Sequence, residues 1–118
     1  MILIDEDVSI YIYNNRVDFR KNIDGLSGLV DEEMQLDPYS RAVFIFLNRR
    51  RDKVKLLYWD KSGFLMIYKR LEEEKFIMSR KNVDKVLTIT RAQFEWFFNG
   101  YDIWKMKGHR ELNFSVAA

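Results

Sequence analysis

The sequence predicts an α+β fold in which an antiparallel β-meander sheet packs with two main helices. Three observations support this prediction. Three apolar segments in the middle of the chain are joined by short turns, as expected of paired strands. A segment on each side of them has apolar residues at every third or fourth position, which is typical of one helix face. The 118 residues are 47% hydrophobic and 32% charged, which suits one globular domain spanning residues 1–118.

The first predicted elements are a short strand and a helix. Val8 to Asn15 reads VSIYIYNN, and its β-branched and aromatic residues followed by an Asn pair indicate a strand and a turn. Asp18 then stands where a residue can cap a helix. The apolar stripe of that helix comprises Ile23, Leu26, Val30 and Met34. Gly25 and Gly28 each cost up to about 1 kcal/mol relative to alanine in a helix, so we expect close packing against the sheet to explain them.

The central meander comprises three strands, at Ala42 to Leu47, Val54 to Trp59 and Phe64 to Leu71. The turn DKSG, at residues 60–63, supplies the Asp and Gly that tight hairpins favour. The other turn, NRRRDK at residues 48–53, is longer and charged. The segment EEEK after the third strand suggests another reversal, which leads to a strand near Phe76 or at Val83 to Thr88.

The second helix is predicted from its two ends. Thr90 with Gln93 three positions later resembles a capping box. The apolar face then comprises Phe94, Phe97 and Phe98. Asn99 and Gly100 form a helix stop.

The composition excludes several kinds of catalytic site. The chain has no cysteine and a single histidine, His109, so thiol chemistry, histidine triads and two-histidine metal sites are not expected. No phosphate-binding glycine loop occurs. Carboxylates are frequent, but the ones considered for a metal site fall mostly at predicted caps and turns: Asp18, Asp24, Asp52 and Asp60. We therefore expect no enzymatic activity, no cofactor and no small-molecule substrate.

The absence of cysteine fits a reducing compartment, and no export signal or membrane-spanning run of apolar residues is found. A cytoplasmic protein without a membrane partner is the expectation.

The positive charge is concentrated in one stretch. Although the net charge is +2, Arg41 to Lys55 carries six basic residues against Asp52, or +5, which leaves −3 for the rest. Arg49, Arg50 and Arg51 form one patch only if they lie in a loop, where the meander puts them. Arginine offers a rigid fork of donors that suits phosphate. Further cations extend the patch if the strands pair as predicted: Lys53, Lys55, Lys69 and Arg70.

Two interpretations of the arginines remain open on the residues alone. The first is polyanion binding, and the second is that charged hairpin tips keep the protein soluble and its sheet edges from aggregating.

The aromatic residues also divide into two sets. Alternation along the strands favours core packing over base stacking for most of the first set: Phe44, Phe46, Tyr58, Trp59, Phe64 and Tyr68. For the second set, covering an exposed sheet face or a partner surface is the alternative to core packing, and the sequence alone does not decide between them: Tyr11, Tyr13, Trp96, Tyr101 and Trp104.

Four motifs in combination identify a family resemblance. They are D-x-R-K-x-I-D-G-L at Asp18 to Leu26, N-R-R-x-D-x-x-K at Asn48 to Lys55, W-D-x-x-G-F at Trp59 to Phe64, and Y-K-R-L-E at Tyr68 to Glu72. Together they resemble the accessory protein called TnpB, the second open reading frame product, of the IS66 family of bacterial insertion sequences. The resemblance is strongest over residues 8–76 and continues more loosely through TITRAQFEWFFNGYDIWKM.

The resemblance implies a non-catalytic protein that assists transposition beside a separate, larger transposase. The expected partners are the DNA ends of the element and the transposase. We predict DNA contact through the basic hairpin loop and the basic residues of the motifs: Arg49, Arg50, Arg51, Lys53, Lys55, Arg20, Lys21, Lys69 and Arg70.

Two alternative functions belong to other classes of protein. One is a protein-interaction module that binds the transposase through exposed aromatic residues without touching DNA. The other is a nuclease with a carboxylate metal site that involves Asp18, Asp24 or Asp60, which requires magnesium-dependent cleavage.

Overall fold

The computed structural model describes Asp5 and residues 7–105. These residues form β1 (Ser9–Arg16), α1 (Ile23–Glu32), β2 (Ala42–Leu47), β3 (Lys53–Asp60), β4 (Gly63–Arg70), β5 (Val86–Ile89) and α2 (Arg91–Phe98). A short helical segment follows at residues 103–105. This architecture confirms the predicted α+β class. No helix in the described part of the chain has the length and apolar character needed to cross a membrane.

The five strands form one sheet in the order β4-β3-β2-β1-β5. Strands β2, β3 and β4 make the predicted antiparallel meander, and β5 runs antiparallel to β1. However, β1 and β2 are parallel, so the sheet is mixed, although its other strand pairs are antiparallel as expected. The reason is the connection: α1 joins β1 to β2 as a crossover, and such crossovers return the chain in its original direction.

The central strand β2 explains why its sequence, AVFIFL, lacks alternation. All six residues are buried, because helices and loops cover both faces of the sheet. Phe44 and Phe46 face α1, whereas Val43, Ile45 and Leu47 face the opposite side.

Each face of the sheet has its own hydrophobic core. On one face, Leu26, Val30 and Met34 of α1 pack in a cluster with Phe44 and Phe46. The residues that cover the other face come from α2 and from the chain segments on either side of it: Phe76, Met78, Phe94, Phe97 and Ile103. One sheet therefore joins two cores.

The start of α1 differs from the sequence prediction. The N-cap is Asn22, whose side chain makes no capping hydrogen bond. Asp18 instead closes the turn before the helix: its carboxylate accepts from the Arg20 N–H at 2.9 Å, and its carbonyl accepts from the Lys21 N–H at 3.0 Å.

The expected reason for the helical glycines was also wrong. A Cβ at Gly25 would meet the Lys21 side chain, 3.1 Å away, and a Cβ at Gly28 would meet nothing within 4 Å. Neither glycine packs closely against the sheet.

The second helix follows the prediction. Thr90 and Gln93 form a reciprocal capping box, and Phe94 and Phe97 are fully buried. Gly100, with φ 89°, follows the helix end. The last strand, β5, overlaps the predicted Val83 to Thr88 region and ends one residue after it. Phe76, the other predicted position, lies in a connection without strand structure.

Candidate nucleic-acid interface

The sheet topology gathers basic residues at one end. Because β1 and β2 are parallel and their neighbours antiparallel, the ends of β1, β2 and β4 meet the starts of β3 and β5. We call this the basic end and define it by Arg16, Arg49, Arg50, Arg51, Lys53 and Arg70. At the opposite end, the cation Arg41 is bound to two carboxylates, Asp5 at 2.9 Å and Asp7 at 3.0 Å.

The centre of the basic end is the arginine loop, residues 48–52, which joins β2 to β3. The Arg51 N–H donates to the Asn48 carbonyl at 3.2 Å, which makes a β-turn with Arg49 and Arg50 at its two central positions. Both of these side chains are exposed. Arg51 has φ 61°, in the left-handed region that non-glycine residues rarely adopt. The prediction that the three arginines lie in a loop is confirmed.

Two polar side chains fix the shape of the arginine loop. Asn48 Nδ2 donates to Asp52 Oδ1 at 2.7 Å, and Asn48 Oδ1 accepts from the Lys53 N–H at 3.0 Å. The hydrogen bond from Asn48 holds the pKa of the Asp52 carboxyl below its ordinary value, and the charges of Lys53 and Arg50 act in the same direction.

The loop is also anchored to the chain segment after β4. The Arg51 carbonyl accepts from the Phe76 N–H at 2.7 Å, and the Asp52 carbonyl accepts from the Leu71 N–H at 2.8 Å. Phe76 is buried in the core, so its backbone is itself held in place. The arginine side chains therefore project from a backbone that is hydrogen-bonded on both sides.

The cations of the loop are available to a partner. Within the described ranges, Asp5 and residues 7–105, no ion pair involves Arg49, Arg50, Arg51 or Lys53. Such side chains keep their donors for phosphate or for water.

Arg16 belongs to the basic end but was missed by the sequence reasoning. It pairs in register with Leu47, directly before the arginine loop, and it borders the same small crevice as Asn48 and Arg51. Only the parallel pairing of β1 with β2 brings it there. The strand, helix, strand order was the signal that would have indicated this pairing.

Lys55, one of the predicted DNA contacts, is buried with 5% of its surface exposed. Its ammonium donates to the carbonyls of Phe19 at 2.8 Å and Lys21 at 2.7 Å, and it lies 4.8 Å from the centre of the Phe19 ring. Burial lowers the pKa of this ammonium. The side chain ties the β1–α1 connection to the sheet and does not join the basic end.

Lys69 is also separated from the arginine loop. Its ammonium donates to the Phe98 carbonyl at 2.7 Å and to Asn99 Oδ1 at 3.2 Å, at the end of α2. It thereby links β4 to α2.

The remaining predicted cations are exposed, but two of them are paired. Arg20 makes an ion pair with Asp18 at 2.6 Å, and this lowers the Asp18 pKa to about 2. Arg70 pairs with Glu72 at 2.9 Å and lies beside Lys53 in the β3–β4 register. Lys21 is exposed just before α1. The structure thus brings the loop arginines, Lys53 and Arg70 together, and it holds Lys55 and Lys69 elsewhere.

The carboxylates considered for a nuclease do not converge. Asp18 is bound to Arg20, Asp24 lies in the first turn of α1, and Asp60 ends β3 beside the hairpin. In the part of the chain that the structure describes, no three His, Cys, Asp or Glu side chains are grouped so that they could hold a metal ion. His109 lies outside the described residues.

The aromatic residues divide differently from the prediction. Phe44 and Phe46 are buried as expected, but so is Tyr13. Among the described residues, the aromatic contacts that include an exposed ring fall into three groups. Tyr68, which was expected in the core, is 50% exposed and contacts Phe19 with ring centres 6.5 Å apart. Tyr39 lies against Trp59 and Phe64, with ring centres 4.9 and 5.3 Å away, and Trp96 contacts Tyr101 at 4.8 Å.

Comparison with known proteins gives a family match. The model of a family described as IS66 Orf2 like protein matches residues 8–108. The chain is 33% identical over 107 residues to a Sinorhizobium fredii protein described as uncharacterized protein y4jC, covering 91% of each chain. It is 25% identical over 105 residues to uncharacterized protein y4hO of the same organism, covering 89% of this chain and 90% of that protein. No solved structure matches significantly.

Proposed function

Because this chain belongs to the IS66 Orf2 like family of insertion-sequence proteins, we propose that it is a non-catalytic accessory protein of transposition that binds DNA through its arginine loop. The observation that carries this proposal is the set of loop cations without ion pairs on a hydrogen-bonded turn. Little backbone entropy remains to be lost when such a loop meets a phosphate backbone.

The dimensions of the basic end suit several phosphates. The strands β1 to β4 span roughly 14 Å at their ordinary spacing, and phosphates of one DNA strand recur about every 3.4 Å along the duplex axis. About four phosphates therefore fit across the basic end. Arg16 and Arg70 lie at the two ends of this span, and the four contacts are assigned to the cations between them, Arg49, Arg50, Arg51 and Lys53.

The experiment that tests the proposal is the salt dependence of DNA binding, measured by fluorescence anisotropy with duplexes that carry the terminal repeats of the element. Neutralising about four phosphates predicts a slope near −3.6 in log affinity against log salt, or roughly a 150-fold loss between 50 and 200 mM salt. Changing Arg49, Arg50 and Arg51 to Ala leaves one contact of the four, so the slope falls to about −0.9.

The matched control removes the same charge from the opposite end of the sheet, with Arg41, Lys61 and Arg91 changed to Ala. This variant should keep the wild-type slope. A wild-type slope near zero, or equal slopes in the two triple variants, would show that the arginine loop is not the DNA contact. Scrambled duplexes report whether the protein also reads sequence.

A second candidate function is supported by the exposed aromatic contact at the end of α2. Trp96 and Tyr101 are 41% and 52% exposed, and aromatic side chains of this kind dominate protein interfaces. In this interpretation the protein binds the transposase of its element directly. Affinity purification after nuclease treatment tests it: the wild type should retain the transposase, and a Trp96→Ala, Tyr101→Ala variant should retain much less. Complete loss of the transposase on nuclease treatment would contradict direct binding.

A further inference from the structure

The strand β4 has an unpaired outer edge. It is the first strand of the sheet, and no other described strand pairs with that side of it. All eight of its residues pair with β3 in continuous register, without a bulge, and the strand contains no proline. The other edge strand, β5, has only four residues. A long, regular edge presents backbone donors and acceptors that a further strand can complete.

The charges that usually protect such an edge are occupied. Lys69 turns inward to the Phe98 carbonyl, at 2.7 Å, and Arg70 is paired with Glu72. Edge lysines normally discourage pairing because they remain exposed at the strand, and Lys69 does not. Apolar side chains on the strand are instead accessible: Tyr68 is 50% exposed and Leu65 36% exposed.

We propose that β4 pairs with β4 of a second copy of this chain, antiparallel about a two-fold axis, to form a continuous ten-stranded sheet. Such a contact is self-complementary, as a two-fold interface requires. Side chains on one face of the sheet must lie on the same face in the second copy. The allowed registers between the two β4 strands therefore differ by steps of two residues.

The side chains favour one register, in which Ile67 lies opposite Ile67 of the second copy. Met66 then lies opposite Tyr68, a favourable sulfur–aromatic pair, and Phe64 lies opposite Arg70, a cation–aromatic pair. If the second β4 strand is shifted by two residues in one direction, Phe64 lies opposite Glu72. If it is shifted by two residues in the other direction, Arg70 lies beyond the end of the partner strand. The central register therefore keeps Arg70 within the paired strands and places no carboxylate opposite an apolar side chain.

The lack of cysteine allows a direct test by disulfide cross-linking, in the full chain without DNA. Residues directly opposite each other in antiparallel strands have Cα atoms roughly 4.5–5.5 Å apart, within the range of a disulfide. An oxidised mixture of the Met66→Cys and Tyr68→Cys variants should give a cross-linked heterodimer. Each variant alone should give little product, because identical residues then lie about 7–8 Å apart across the diagonal.

Sedimentation equilibrium of the wild type should give twice the 14.3 kDa chain mass at high concentration. A wild type that stays monomeric overturns the proposal. The proposal is also overturned if the protein is a dimer but the mixture of Met66→Cys and Tyr68→Cys cross-links no better than either variant alone. Association would then use another surface or another register. Neither measurement involves DNA, so the outcome is independent of the proposed DNA contact.

Discussion

At the residue scale, burial separates cations that sequence alone treats as equivalent. Lys53 and Lys55 are two positions apart on β3, and both were predicted to contact DNA. Among the described residues, Lys53 makes no ion pair, and it lies at the basic end. The Lys55 ammonium instead donates hydrogen bonds to two backbone carbonyls. The Lys55 ammonium uses two of its three N–H donors on these carbonyls, and its burial shields it from a phosphate. The same kind of residue thus has a proposed binding role at position 53 and a structural role at position 55.

Exchanging each lysine for methionine separates these two roles. Lys55→Met leaves the Phe19 and Lys21 carbonyls without their donor, so we expect the free energy of unfolding to fall by about 1–3 kcal/mol. The slope of DNA affinity against salt should not change. Urea denaturation and anisotropy measure the two effects.

Lys53→Met is the matched control. It should leave stability within about 0.5 kcal/mol of the wild type and make the salt slope less negative by about 0.9. The opposite pattern, with a smaller slope for Lys55→Met, would show that the buried lysine reaches DNA.

At the scale of elements, the arginine loop depends on a residue that carries no charge. Asn48 bonds both to Asp52 and to the Lys53 N–H, and so it spans the base of the turn. The carbonyls of Arg51 and Asp52 connect the same turn to the chain after β4. The arginines therefore hold their positions through contacts made by their neighbours.

We expect Asn48→Ala to weaken DNA binding while leaving the net charge unchanged. The Lys53 N–H loses its acceptor, so the free energy of unfolding should fall by about 1 kcal/mol at pH 7. The Asp52 pKa should rise toward the ordinary value of 3.8, which an NMR titration can follow.

The lowered pKa of Asp52 also sets the sign of the pH dependence of stability. A lowered carboxyl pKa stabilises the folded state above pH 3.8, and this stabilisation is lost as pH falls through the folded-state pKa. The difference in the free energy of unfolding between Asn48→Ala and the wild type should therefore become smaller below about pH 3.8. Asn15→Ala is a suitable control for the Asp52 titration, because within residues 7–105 the Asn15 side chain bonds only to the Arg16 N–H, at 2.9 Å. An unchanged Asp52 titration in Asn48→Ala would contradict this account.

At the scale of the whole molecule, one mixed sheet connects the two cores and separates the charges. Both faces of β2 are covered, so α1 and α2 are linked through the same buried strand. The strand directions gather the basic end on one side, while Asp5 and Asp7 meet Arg41 on the other. The uneven charge along the chain thus becomes an uneven charge across the sheet.

The sequence by itself determined the α+β class, the meander, the capped second helix and the exposed arginine turn. Each depends on neighbours close along the chain: Thr90 and Gln93 of the capping box are three positions apart, and the hairpins join adjacent strands. Local periodicity and turn chemistry are enough for such features. The motif resemblance identified the family in the same way.

Only the tertiary structure decided the inclusion of Arg16 in the basic end and the burial of Lys55, and it established the parallel pairing of β1 with β2 that the strand, helix, strand order indicates. Each depends on residues far apart in sequence, such as Arg16 beside Leu47 and Lys55 against Phe19. A lysine is ordinarily exposed, so no local pattern predicts that one will satisfy two carbonyls of a distant connection. The physical reason is that these contacts exist only after the crossover helix has brought separate segments together.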